Sequence, residues 1–214
     1  MAVLRIDWQS MPKMKSAVVT GKPEGPSIET QMAITNQKPI VVYISDSATS
    51  IPQASGFDKI EEIVLTEDKI VIASKAFTFV RMSPDNVFKD PVLKSIYGEK
   101  IKDIAVIPSM IFISTDMKAK QLEGDDISVS KVWEEMKSQF KKHYKGDLEK
   151  ISKDMIKVLS EFDKINNERK VLNSKINRAS SPLEKKEIEK ELKDLENREK
   201  NFIAEKNKII SLMN

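Results

Sequence analysis

The sequence predicts a three-layer α/β domain with a mixed sheet, followed by an antiparallel hairpin of two long helices. Three observations support this fold class. Short apolar runs typical of strands alternate with helical patches as far as Gly146. Beyond Gly146, apolar residues recur at alternating intervals of three and four, with no further glycine and a single proline. Charged residues make up 32% of the chain, above the roughly 25% of an ordinary domain, which indicates a long solvated helix.

The strands are predicted from short apolar or alternating runs bounded by turn residues. In chain order they are a possible edge strand at Leu4–Trp8, a buried strand at Lys38–Ser45, and further strands at Ala76–Met82, Pro108–Thr115 and Lys120–Glu123. The segment "TDMKA" between the last two is a turn, so these two strands form a hairpin.

The helices of the first part are predicted from apolar residues at intervals of three and four and from capping residues. Ser27 caps a helix that runs to about Asn36, residues 55–65 form a second helix, and a short third helix ends at Gly98. Residues 67–76 fit a helix or a strand. Ser128 or Ser130 opens a final helix, whose apolar face consists of Val132, Trp133, Met136 and Phe140.

The tail carries two apolar seams. Nine of the ten positions that run from Leu148 to Ala179 at intervals of three and four are apolar, and the exception is Arg169. A second helix begins where Ser181 provides a cap, a proline occupies the first position and Glu184 completes a capping box. Each helix of about 33 residues would span about 50 Å. Arg169 then lies about one turn from Glu199. The two form a buried ion pair, or both extend to solvent along their alkyl stems, and we favour the second alternative.

Three segments are therefore expected. Residues 1–26 are an N-terminal extension with the possible edge strand, residues 27–145 are the α/β domain, and residues 146–214 are the hairpin. The N-terminus has no apolar run long enough for a signal peptide, and no run of about 18 apolar residues occurs. We expect a soluble protein without a membrane span. Its compartment stays open, because it is either cytoplasmic or exported with its leader already removed.

Composition excludes several kinds of chemistry. The absence of cysteine excludes disulfides, thiolate zinc sites and thiol redox reactions within this chain. The single histidine, His143, is predicted as a solvated helix-end residue, so no metal site and no cofactor are expected. The chain has 36 basic and 33 acidic residues, of which 17 and 14 lie from Lys145 onward. This small excess, spread over the tail, makes nucleic acid an unlikely partner.

Particular segments resemble a known fold. "KPIVVYIS" is similar to a central strand that leads to an active-site turn, and "DIAVIPSMIFIST" to a segment in which an apolar residue precedes a cis-proline. "TDMKAKQLEG" resembles the following β-hairpin, and residues 128–144 the last helix. Together, from Ile28 to Tyr144, these segments resemble the thioredoxin fold. The resemblance implies a thioredoxin-like three-layer sandwich with a mixed sheet, and the helical hairpin lies outside it.

The resemblance also shows what is missing. Redox-active members of the family carry Cys-x-x-Cys after the central strand, whereas this chain has "SDSATS", which places Ser47 and Ser50 in the cysteine positions. A serine hydroxyl forms no disulfide and does not ionise near neutral pH, so we expect no enzyme activity and no catalytic residue. The resemblance further implies that Ile107, Pro108 and Ser109, with the two serines, line a peptide groove, where the edge of Ser109 could pair with an extended segment. Alternatively, the proline only shapes the entry of the strand.

Three functions follow as hypotheses. The first is a redox-inactive binding or assembly module that binds a protein partner or forms a homodimer through the helical hairpin. Apolar residues off the main seams widen the apolar face of the hairpin; they are Ile156, Leu159, Val171, Ile203 and Ile210. The alternative is a peptide-holding, chaperone-like protein that uses the groove near Pro108. Nucleic-acid binding along the helices is the weakest hypothesis, because acidic residues are interleaved throughout.

Overall fold

The structure is a computed structural model, and it describes residues 5–9, 28, 32, 37–45, 60–105 and 107–213. These residues form two compact units, one that extends to Leu148 and one from Glu149 to Met213. The first unit contains a mixed sheet with helices, and the second contains most of two long helices that pack together. The α/β class and the C-terminal pair of helices agree with the sequence analysis.

The sheet has five strands in the order β1-β3-β2-β4-β5. The strands are β1 (Trp8–Gln9), β2 (Ile40–Ile44), β3 (Thr78–Met82), β4 (Ser109–Ile113) and β5 (Ala119–Glu123). Strands β1, β3 and β2 are parallel to one another, whereas β4 is antiparallel to β2 and β5 is antiparallel to β4. The predicted edge strand exists, but it pairs only at Trp8 and Gln9, and Leu4 lies outside the described residues.

Strand β2 is buried on both faces, as its unbroken apolar sequence predicts. Successive side chains of a strand point to opposite faces, so Ile40, Val42 and Ile44 share one face and Val41 and Tyr43 the other. The first three belong to a core cluster that also contains Ile28 and residues of three short helices. The last helix of the unit, Val129–His143, contacts both β4 and the helix Asp68–Ala73.

Seven helices lie among the described residues. They are α1 (Asp68–Ala73), α2 (Pro84–Val87), α3 (Pro91–Tyr97), α4 (Ile101–Ile104), α5 (Val129–His143), α6 (Leu148–Ile176) and α7 (Pro182–Ser211). The ambiguous segment 67–76 is therefore helical. The predicted helix at 55–65 is described only from Ile60, where Ile60–Val64 forms a single π-helical turn. The predicted helix from Ser27 lies mostly outside the described residues, but Ile28 and Met32 have helical backbone.

Capping side chains fix several of these helices. Asp90 is buried, and its carboxylate accepts hydrogen bonds from the backbone N–H groups of Val92 (2.9 Å) and Leu93 (3.0 Å) at the start of α3. It also accepts one from the N–H of Ile28 (3.2 Å), which joins two segments of the core that are distant in sequence. At the other end of α3, Gly98 has φ of 54°, a conformation that glycine adopts readily.

The two long helices pack antiparallel along the predicted seams. Phe162 of α6 stacks on Phe202 of α7 with 4.4 Å between ring centroids, which fixes the register. The buried residues farther along are Ile165, Leu172, Ile188 and Leu195. The Ser181 hydroxyl accepts from the N–H of Glu184, as predicted, but the carboxylate of Glu184 accepts from the N–H of Ser180 and not from that of Ser181.

Arg169 and Glu199 form a direct ion pair across the hairpin. A guanidinium nitrogen of Arg169 lies 2.6 Å from a carboxylate oxygen of Glu199, and a second nitrogen lies 3.4 Å from the other oxygen. The favoured prediction, that both side chains extend to solvent, is therefore wrong. The side chains are 30% and 28% exposed, so the pair is mostly covered but retains contact with water. The bond to Glu199 raises the pKa of Arg169.

Candidate functional site

The first candidate site is the end of the sheet where β4 begins. The peptide bond between Ile107 and Pro108 is cis, as the resemblance implies, and both residues are half-buried. The carbonyl of Pro108 accepts a hydrogen bond from the N–H of Gly124 (3.1 Å), just after β5. Because Ser109 pairs with Ile44, this segment lies beside the carboxyl end of β2. The carboxyl end of β2 and the proline segment thus meet at one end of the sheet.

Ser109 is an internal residue of the sheet. Its side chain is fully buried, and its hydroxyl accepts a bond from the amide nitrogen of Gln121 (2.7 Å). Strand neighbours lie on both sides of it, Ile44 on β2 and Glu123 on β5. An extended segment could therefore pair with Ser109 only by displacing one of these strands. The accessible part of the predicted groove is limited to Ile107 and Pro108, among the candidate residues that the structure describes.

Ser47 and Ser50, the other two candidates of the predicted groove, lie outside the described residues. The residue just before this segment is Ser45, whose backbone N–H donates to the carbonyl of Met82 (3.0 Å). Its side chain is 2% exposed, and its hydroxyl has no hydrogen-bond partner among the residues that the structure describes. A buried hydroxyl without a partner is uncommon. The sequence gives no signal for it, since serines are frequent wherever a strand enters a turn.

His143 lies at the opposite end of the sheet. Its Nδ1 is 3.5 Å from the hydroxyl oxygen of Thr115. Thr115 follows β4 at the end where that strand pairs with Ile40, the first residue of β2. The imidazole therefore cannot serve as a base for groups at the carboxyl end of β2. His143 is the last residue of its helix, as predicted, but it is not fully solvated, because the side chain is half-buried and packs edge-on against Tyr144. Burial lowers the pKa of His143, which disfavours the cation.

A cluster around Arg81 was not predicted. The guanidinium carbon of Arg81 lies 4.8 Å from the ring centroid of Trp8 and 5.7 Å from that of Tyr43. One guanidinium nitrogen lies 2.9 Å from a carboxylate oxygen of Glu61. The basic residue in the otherwise apolar run "AFTFVRM" was the available signal. Because Arg81 is engaged by both rings and by Glu61, the cluster attaches β1 to the sheet and leaves no free cation to bind a ligand.

The second candidate site is the surface of the helical hairpin. Ile156, Val171 and Ile203 are 40%, 54% and 48% exposed, whereas Leu159 and Ile210 are half-buried. These five residues do not all share one side. Ile156, Leu159, Ile203 and Ile210 each follow a buried seam residue by one position, which turns them about 100° from the seam in the same sense. Val171 precedes a buried leucine, so it lies on the opposite side.

The two sides of the hairpin therefore differ in chemistry. Because the helices are antiparallel, residues turned in the same sense from the seam lie on the same side of the pair. We name the side with Ile156, Leu159, Ile203 and Ile210 the apolar side. Glu161, Glu168 and Arg198 each follow a buried residue by three positions, which turns them the other way.

We name the side with Glu161, Glu168 and Arg198 the ion-pair side. The guanidinium of Arg198 lies 2.5 Å from the carboxylate of Glu168 and 2.9 Å from that of Glu161. The three side chains link α6 to α7 there. The bonds from Arg198 and Lys164 lower the pKa of Glu161. The ion-pair side thus carries an inter-helix ion-pair network beside the exposed Val171, whereas the apolar side carries the other four apolar candidates.

Other kinds of site find no support in the part of the chain that the structure describes. There, no three acidic or histidine side chains come together as a metal site, and no helix is long and apolar enough to span a bilayer. Comparisons of the chain with protein-family models, with curated proteins and with solved structures each gave no match.

Proposed function

We propose that this chain is a redox-inactive binding and assembly module, in which a thioredoxin-like scaffold carries a helical hairpin that contacts another protein or a second copy. The observation that carries the proposal is the exposure of Ile156 and Ile203, at 40% and 48%, on one side of the hairpin. The seam between α6 and α7 is already filled by other residues. A large part of each of these two side chains is nevertheless left exposed, and covering that area would be favourable at roughly 25 cal/mol per Å².

The scaffold assignment rests on the order of four features. A buried central strand is followed by a cis peptide bond before Pro108, then by the hairpin of β4 and β5, and finally by a helix with an apolar face. This is the order that the sequence segments predict, and it supports a thioredoxin-like domain. Because the chain has no cysteine, such a domain has no dithiol chemistry and can act only through contacts.

A peptide-holding function is the second candidate, and Ser45 is the observation that favours it. Its buried hydroxyl, which has no partner among the described residues, lies at the carboxyl end of β2, the end of the sheet that also carries the half-buried Ile107 and Pro108. A bound peptide could supply the missing hydrogen bond there. The hairpin remains the better-supported surface, because it offers several exposed apolar side chains. Nucleic-acid binding is less well supported, because carboxylates of the hairpin engage its arginines.

The absence of cysteine provides a clean test. A single cysteine at Ile203, introduced as Ile203→Cys, is the only thiol in the chain and can carry a photoreactive maleimide. The labelled full chain is irradiated in native extract, and Val171→Cys serves as the matched control with similar exposure on the opposite side. The proposal predicts discrete protein adducts, including adducts between two copies, from position 203 and few from position 171. Equal labelling at both positions, or no adducts, would contradict it.

A further inference from the structure

We draw no further inference here: the strongest candidate, the apolar side of the helical hairpin with Ile156, Leu159, Ile203 and Ile210, belongs to the surface already described, and nothing in the structure shows what covers it.

Discussion

Replacing Glu199 by leucine removes one half of the ion pair that joins the two long helices. Arg169 then loses the carboxylate that lies 2.6 Å away, while about 70% of its side chain stays covered. A partly covered ion pair contributes about 1 kcal/mol, and an unpaired charge adds a desolvation cost, which the new leucine partly offsets. We expect Glu199→Leu to lower the free energy of unfolding by about 1 kcal/mol, and Arg169→Leu to lower it by a similar amount.

The variant with both leucines should behave differently. Two leucines at adjacent seam positions restore an apolar seam, and burying most of a leucine side chain is worth about 1.5–3 kcal/mol. This gain outweighs the lost contribution of the ion pair. The variant with both Arg169→Leu and Glu199→Leu should therefore be about 1–2 kcal/mol more stable than the original chain. Urea unfolding followed by circular dichroism measures all four proteins, and Lys190→Leu at an exposed position of α7 is the control. Additive single effects, with a less stable double variant, would refute the register.

Three further predictions concern the first unit. Asp90→Ala should lower the free energy of unfolding by about 3 kcal/mol, because it leaves three buried N–H groups unpaired. Asp90→Ser should lower it by less, because the serine hydroxyl can still cap α3. Equal losses of the two variants in urea unfolding would contradict this. Since burial lowers the pKa of His143, the unfolded state binds more protons, so stability should fall as pH decreases through about 6.5, and the slope should be smaller in His143→Gln. An unchanged slope would exclude this contribution. Ser45→Ala should change stability by less than about 0.5 kcal/mol or increase it, because the hydroxyl has no partner among the described residues. A loss above about 1 kcal/mol would reveal a hydrogen bond to another part of the chain.

The elements with the strongest periodicity were predictable from the sequence. The seams of the hairpin extend over some 30 residues, and the buried strand Ile40–Ile44 combines an apolar run with polar residues on both sides. The cis peptide bond between Ile107 and Pro108 agrees with what the resemblance of this segment to the thioredoxin fold implied. In these cases local pattern and tertiary environment agree.

Short segments and side-chain partners were not predictable in the same way. The run "EDKIVIASKA" satisfies both periods within ten residues, so only its packing against α5 determines that it is a helix. The pairing of Arg169 with Glu199 depends on how far the two side chains reach along the hairpin, which the sequence alone does not fix. The burial of His143 depends on which residues the fold brings beside it, such as Thr115. The side of the hairpin on which each candidate residue lies follows from its offset from the seam, whereas its exposed fraction required the structure.

The account depends most on the apolar side of the hairpin being a contact surface. The direct measurement compares the protein adducts that a photoreactive maleimide forms in native extract from Ile203→Cys and from Val171→Cys, each the single cysteine of the full chain. We predict discrete adducts from position 203, with another protein or a second copy, and few from position 171. Equal labelling at both positions, or no adducts from position 203, would contradict the assignment of this side of the hairpin as a contact surface.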